Sequence, residues 1–246
     1  IEKFGCSLEA RYLQIFKGDE IEFPEDGYQG EDIKDLAKEY ADLNGDSLVN
    51  VSAEERKKAL VDYALPKNIK KMQADMEKYK IYYDKWFFES ELHKSGAVKA
   101  VVDLLTKKGL TYEKDGAVWY KNKEVLTQKL LKEGKSQKYI DNLELKDDVL
   151  IRQNGNPTYF TADIAYHKNK FDRGFTTLID VWGADHHGHV MRMKGAMDAI
   201  GYDGDKLNVV LMQLVKLVKD GELVRMSKRT GKAIQLGDLL DEVPVD

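Results

Sequence analysis

The 246-residue sequence predicts an α/β fold with a parallel sheet at its centre, and three observations carry that prediction. The last third alternates an apolar strand (177–182), a helix (186–200) and a second apolar run (207–214), which is strand–helix–strand order at the spacing of a parallel crossover unit. The first third carries helical periodicity instead, with long charged faces. Apolar residues make up 42% and charged residues 33%, enough to bury a core in one large domain or two modest ones and too apolar for a disordered chain.

The same arithmetic excludes several classes. No apolar run approaches the roughly 18 residues of a membrane span. Residues 1–7 show no basic start followed by an apolar stretch, so no secretory signal is expected. The single cysteine, Cys6, allows neither an intramolecular disulfide nor a cysteine-built zinc cage, and a cytoplasmic location is expected. Lys and Arg number 39 against 43 Asp and Glu, a net charge of −4, so contact with nucleic acid would need a local basic patch.

Residues 1–77 read as a helical block. Ile33, Leu36, Ala37, Tyr40 and Leu43 share a helical face over 32–43, and Gly45 stops it. Ser52 is an N-cap with Glu55 three residues on, and the helix it starts is expected to end or kink at Pro66 before the pattern resumes over 68–79. Residues 81–83 read as a short strand. A helix over 95–108 places Val98, Val101, Val102 and Leu105 on one face and ends at Gly109. Strands at 110–113 and 117–120 flank the hairpin dipeptide Asp115-Gly116. Residues 123–145 are lysine-rich and expected to be helical; 149–152 is a strand, and 154–157 a turn. A helix over 158–171 puts Phe160, Ile164, His167 and Phe171 on one face. The run 207–214 is apolar enough for a strand buried on both faces. A hairpin, 215–219 with 222–225, turns at Asp220-Gly221.

Three constellations could carry chemistry. Trp182-Gly183-Ala184-Asp185-His186-His187-Gly188-His189 falls at the carboxyl end of a strand, the edge where open α/β sheets bind ligands, and a helix N-terminus there suits phosphate. Gly183 permits close approach, and Asp185 either accepts from ribose hydroxyls or simply caps the helix. Three histidines beside an aspartate also suggest a metal, but positions 186 and 187 point about 100° apart on a helix and do not share a face. In 224–232, Arg225, Lys228, Arg229 and Lys232 form a cationic loop with Gly231; it is either a solvated loop or a clamp for a polyanion. In 158–163, Tyr159 and Asp163 are four apart on one stripe: an exposed pair, or a carboxylate and phenol that receive a cation such as a guanidinium.

Arg225-Met226-Ser227-Lys228-Arg229 resembles the Lys-Met-Ser-Lys-Ser loop of class I aminoacyl-tRNA synthetases. Tyr159-Phe160-Thr161-Ala162-Asp163-Ile164-Ala165-Tyr166-His167 and Trp182-Gly183-Ala184-Asp185-His186-His187-Gly188 are similar to bacterial-type arginyl-tRNA synthetases, as are 4–12 and 109–119. The resemblance covers nearly the whole chain. It implies ATP-dependent ligation of L-arginine to its tRNA through arginyl-adenylate, with arginine, ATP and tRNA as partners, Mg²⁺ accompanying ATP, no tightly bound cofactor and no resident metal. Carried over by position, Tyr159, Asp163 and Glu89 contact the arginine substrate; Gly183, Asp185 and His186 lie near the ATP ribose and adenine; Met226, Ser227 and Lys228 form the catalytic loop, with Lys228 on the phosphates.

The sequence also departs from the family pattern. Arg225 and Arg229 replace Lys and Ser in the loop. His186-His187-Gly188-His189 spells something close to the family's first signature but sits in the wrong half of the fold, so that signature is absent. Residues 121–148 look longer than usual. The start at Ile1 suggests truncation, and the expectation is the second half of the class I Rossmann-like fold with two inserted subdomains. In that division 1–77 is a helical insertion, 78–90 with 158–224 the core, 91–157 a second insertion, and 225–246 the signature loop and the start of a helical region. Such a chain holds half an active site and is expected to be inactive alone. Two readings compete: a non-enzymatic binding module of synthetase ancestry, and a class I synthetase for another amino acid, against which the acidic pair Glu89 and Asp163 argues.

Overall fold

The structure is a computed structural model that describes residues 1–219, 221–223 and 235–243. The chain divides into two compact units, Ile1–Lys85 with Lys216–Asp246, and Trp86–Val215.

The first unit begins with α1 (Glu2–Lys17), α2 (Glu31–Asn44) and α3 (Ala53–Lys78), with Leu8, Tyr12, Ile33, Ala37, Leu60 and Ala64 in their shared core. α2 ends at Gly45, whose φ of 61° is the left-handed conformation that glycine adopts without a Cβ penalty. Of the face expected on α2, Ile33, Leu36 and Ala37 are buried, Tyr40 is partly buried against the same core, and Leu43 is exposed at the helix end. Ser52 caps α3, its Oγ accepting from the Glu55 N–H at 3.2 Å. Arg56 of α3 is buried and ties down the preceding turn: it donates to the carbonyls of Leu48, Val49 and Val51 and to Glu9.

Two readings are corrected in this unit. Of the expected end or kink at Pro66, the end does not occur: α3 runs on to Lys78, although a proline there removes one intrahelical donor. Leu60 and Ala64 anchor the helix before Pro66, and contacts from Lys71 and Lys78 hold it after. Residues 81–83 form no strand. Lys80, at φ 59°, closes α3 as Ile81 N–H returns to the Met76 carbonyl, and Tyr82 and Tyr83 lie exposed beyond it.

The second unit starts with α4 (Glu89–Lys94) and α5 (Ala97–Lys107). β1 (Thr111–Lys114) and β2 (Ala117–Tyr120) form the expected hairpin, with Asp115 and Gly116 both at positive φ. The span expected to be helical over 123–145 holds two helices, α6 (Asn122–Lys132) and α7 (Gln137–Asp141), with Gly134 at φ 81° between them. β3 (Asp148–Ile151) completes an antiparallel sheet of order β1-β2-β3. α8 (Tyr159–Asp172) is capped by Thr158 and buries Phe160, Ile164 and His167 as expected.

β4 (Leu178–Gly183), α9 (His187–Ile200) and β5 (Leu207–Met212) make the expected parallel unit, with Leu178 opposite Leu207 and Trp182 opposite Leu211. Residues of α5, α8 and α9 pack with Leu178 and Leu207 in one core. The expectation that the second strand is buried on both faces is wrong. β5 alternates, and Ile179, Val181, Val210 and Met212 are exposed on the face away from that core. The described strand also stops at Met212, short of 214.

The chain returns to the first unit with β6 (Val218–Lys219) and β7 (Glu222–Leu223), an antiparallel pair turned through Gly221 at φ 80°. α10 (Leu236–Glu242) then lies against α3, with the Gly237 Cα side close to Asp75.

Candidate functional site

Two ends of the second unit's secondary structure carry the residues singled out by sequence. At the start of α8, Tyr159 and Asp163 project one turn apart on the same stripe. Tyr159 is 80% exposed. The Asp163 carboxylate is half-exposed and accepts from His189 of α9, Nε2 to Oδ2 at 3.3 Å. Glu89 opens α4, a helix that packs against α8; its carboxylate is exposed and meets His93 of its own helix at 3.4 Å. α8 thus brings Tyr159 and Asp163 together, and Glu89 sits on a neighbouring element with a partner of its own.

At the carboxyl end of β4 the chain turns through 184–186 into α9. A Cβ at Gly183 would lie 2.5 Å from Asp185 Oδ1, so a side chain there would push the exposed Asp185 carboxylate aside. Asp185 and His186 are exposed, with 3.8 Å between Oδ2 and Nε2. The alternative that Asp185 merely caps the helix is not what is found. His186 stands at the N-cap of α9, and no side chain caps its first N–H groups. The three histidines diverge as helical geometry requires: His186 and His187 face out, while His189 turns in against Phe160 and Trp182. Among the described residues no three His, Cys, Asp or Glu side chains converge to hold a metal ion. Met226, Ser227 and Lys228 lie outside the described residues.

Beneath these side chains is a buried cluster. His167 of α8 donates through Nδ1 to the Asp163 carbonyl at 2.7 Å, and its Nε2 is 2.5 Å from Asp180 Oδ2 of β4. Lys170 Nζ reaches the other Asp180 oxygen at 2.7 Å. Burial alone would raise the Asp180 carboxyl, but hydrogen bonds from His167 and Lys170 outweigh it and hold the group below the usual carboxylate range. On the other side of α8, Arg192 of α9 forks onto Asp148 of β3 and lies over the Phe160 ring at 4.9 Å. α8 is therefore tied to β4 through His167 and Lys170 and packs under Arg192 through Phe160, while the Asp163 carboxylate stays half-exposed.

A family model described as tRNA synthetases class I (R), catalytic domain, matches residues 29–244. The chain belongs to the class I arginyl-tRNA synthetase family. Across its full length it is 54% identical to an arginine–tRNA ligase of Ruminiclostridium cellulolyticum and 56% identical to one of Caldanaerobacter subterraneus. In each case it covers 41% of the relative, so the chain spans about two fifths of the length of the curated synthetases it matches. A solved structure described as a candidate arginyl-tRNA synthetase from Campylobacter jejuni superposes with a TM-score of 0.78 at 34% identity, over 97% of this chain and 48% of the other. The Thermus thermophilus arginyl-tRNA synthetase, at TM-score 0.61 and 18% identity over 96% of this chain and 43% of the other, shares the fold. The α/β expectation and the synthetase resemblance both hold. Among the described residues no helix is long and apolar enough to cross a membrane.

Sequence reasoning misses four residues that surround the candidate site. His189 is visible in the sequence only as part of a histidine cluster, although its place two residues after His187 already sets it on the opposite side of α9. His167 was assigned to the apolar face of α8, and only a histidine's hydrogen-bonding demand hinted at a buried acid partner. Asp180, in the middle of an apolar strand, was the one signal for that partner. Arg192 had none.

Proposed function

We propose that this chain is part of an enzyme that ligates L-arginine to its tRNA with ATP, in the cytoplasm. In the first step the arginine carboxylate oxygen forms a bond to the α-phosphorus of ATP, the bond to the bridging oxygen breaks, and pyrophosphate leaves. In the second, a hydroxyl of the terminal tRNA ribose takes the arginyl group and AMP departs. The protein's part is positioning and charge stabilisation, not covalent catalysis.

The single observation that supports the arginine reading is Asp163: an ionisable carboxylate, half-exposed, beside the Tyr159 phenol on one helical stripe. A guanidinium satisfies a carboxylate through two parallel N–H bonds, which a lysine ammonium does not match. Glu89 supplies a second carboxylate for the same planar group. Gly183, Asp185 and His186 take the adenosine end of ATP, where the turn lies open to the ribose and the start of α9 favours the charge of the adjoining phosphate. Met226, Ser227 and Lys228 form the phosphate loop, Lys228 neutralising charge on the pyrophosphate. Mg²⁺ enters with ATP as part of the substrate. The core follows the division into 78–90 with 158–224, with 1–77 and 91–157 inserted and 225–246 leading onward.

The test uses the full-length protein that carries this chain. Pyrophosphate exchange should depend on arginine and on tRNA, and a panel of other amino acids should give none. Exchange supported by a different amino acid would remove the arginine assignment. The 246 residues alone should show no turnover; turnover by them would disprove the half-site expectation.

A further inference from the structure

We infer that His189 is a positioning residue for the substrate guanidinium, acting through the Asp163 carboxylate; this rests on the proposed arginine-ligase reading. A carboxylate has no donor when ionised, so the 3.3 Å contact requires His189 to present Nε2–H to Asp163 Oδ2. That bond takes one lone pair of Oδ2 and orients the carboxylate, leaving Oδ1 and the second lone pair of Oδ2 for the two N–H groups of a ligand. The imidazole is itself held. Its ring makes an edge contact with Phe160 at 5.4 Å and a tilted one with Trp182 at 5.3 Å, and its side chain is 19% exposed. Phe160 is pinned in turn by the Arg192 guanidinium one turn along α9. The other end of the residue is fixed as well, since His167 takes the Asp163 backbone carbonyl.

Asp163 is otherwise half-exposed at the start of a helix, where a free carboxylate samples several rotamers. Binding a planar fork needs one of them. Ordering the acceptor before the ligand arrives removes that cost from binding. His189 therefore strengthens arginine binding without touching arginine, and its effect should vanish when Asp163 is gone.

The experiment measures steady-state aminoacylation by the full-length enzyme, with arginine and ATP varied separately. His189→Phe keeps the aromatic contacts and removes the donor. It should raise the arginine KM about tenfold, leave the ATP KM within twofold, and leave Tm nearly unchanged. His189→Gln returns an N–H at similar reach and should recover the arginine KM to within about threefold of wild type. In an Asp163→Ala background, His189→Phe should add no further loss. An arginine KM unchanged in His189→Phe, a parallel rise in ATP KM, a Gln variant as impaired as Phe, or additive losses in the double variant would each overturn the inference. If His189→Phe fails to fold, the Gln variant and its double with Asp163→Ala decide by the same criteria. Wild-type charging that does not depend on arginine would instead overturn the reading beneath it.

Discussion

In the first unit Arg56 is 7% exposed, and its guanidinium meets four acceptors, three backbone carbonyls and Glu9, at 2.7–3.4 Å. In the second unit the Asp163 carboxylate is half-exposed, and among the described residues its side chain meets only His189. One group is a guanidinium with four of its five donors bonded within its own chain. The other is a carboxylate with capacity to spare, flanked by carboxylates that have none: Asp180 is taken by His167 and Lys170, and Asp148 by Arg192. The difference separates structure from recognition. A charge whose partners are all internal stabilises the fold, and a charge with a free lone pair facing solvent is available to a ligand.

That contrast can be broken at several strengths. The largest expected effect is on Arg56. Arg56→Met leaves Glu9 and three carbonyls facing a thioether, and should cost about 4 kcal/mol in urea unfolding. A loss below about 1 kcal/mol would mean that the loop finds other donors and that the buried guanidinium is not what holds it.

Asp180→Asn comes next. It leaves the Lys170 cation and His167 without a counter-charge and should cost about 3 kcal/mol near neutral pH. The pH dependence follows from the direction of the shift. The folded Asp180 carboxyl lies below its ordinary value, so the unfolded chain takes up the proton first. Its stabilisation is complete above about pH 5, declines as pH falls through the ordinary carboxylate range near 4, and is lost once pH passes below the folded value. The Asn variant should unfold with a correspondingly flatter acid limb. An identical acid limb in wild type and variant would show that the pair does not titrate with folding.

The smallest expected effect on stability belongs to Asp163. Asp163→Ala should change unfolding free energy by no more than about 0.5 kcal/mol, as for an exposed side chain with one weak partner. A loss comparable to that of Arg56→Met would place Asp163 among the structural charges and erase the contrast.

Local chemistry made much of the fold legible. Ser52 and Thr158 announce helix starts, Gly45 and Gly109 announce ends, and Asp115-Gly116 announces a hairpin, each because a cap or a positive φ is decided within a few residues. Gly134 was equally visible as a break within 123–145, but helical periodicity on both sides hid it. The apolar run at 207–212 could not reveal one-sided burial, since a sequence records that residues are apolar and not which layers cover them. Pro66 failed as a stop because contacts on both sides outweigh one missing hydrogen bond. In the site, the Tyr159–Asp163 pair was readable at helical spacing. The His189–Asp163 contact was not, because it joins positions 26 apart across two helices.

The account rests most directly on Asp163 as the guanidinium receptor. The decisive measurement is the arginine dependence of aminoacylation by the full-length Asp163→Ala enzyme. If Asp163 receives the guanidinium, the arginine KM rises at least about thirtyfold, the equivalent of about 2 kcal/mol or more, with ATP KM within a factor of about two. An unchanged arginine KM would contradict it.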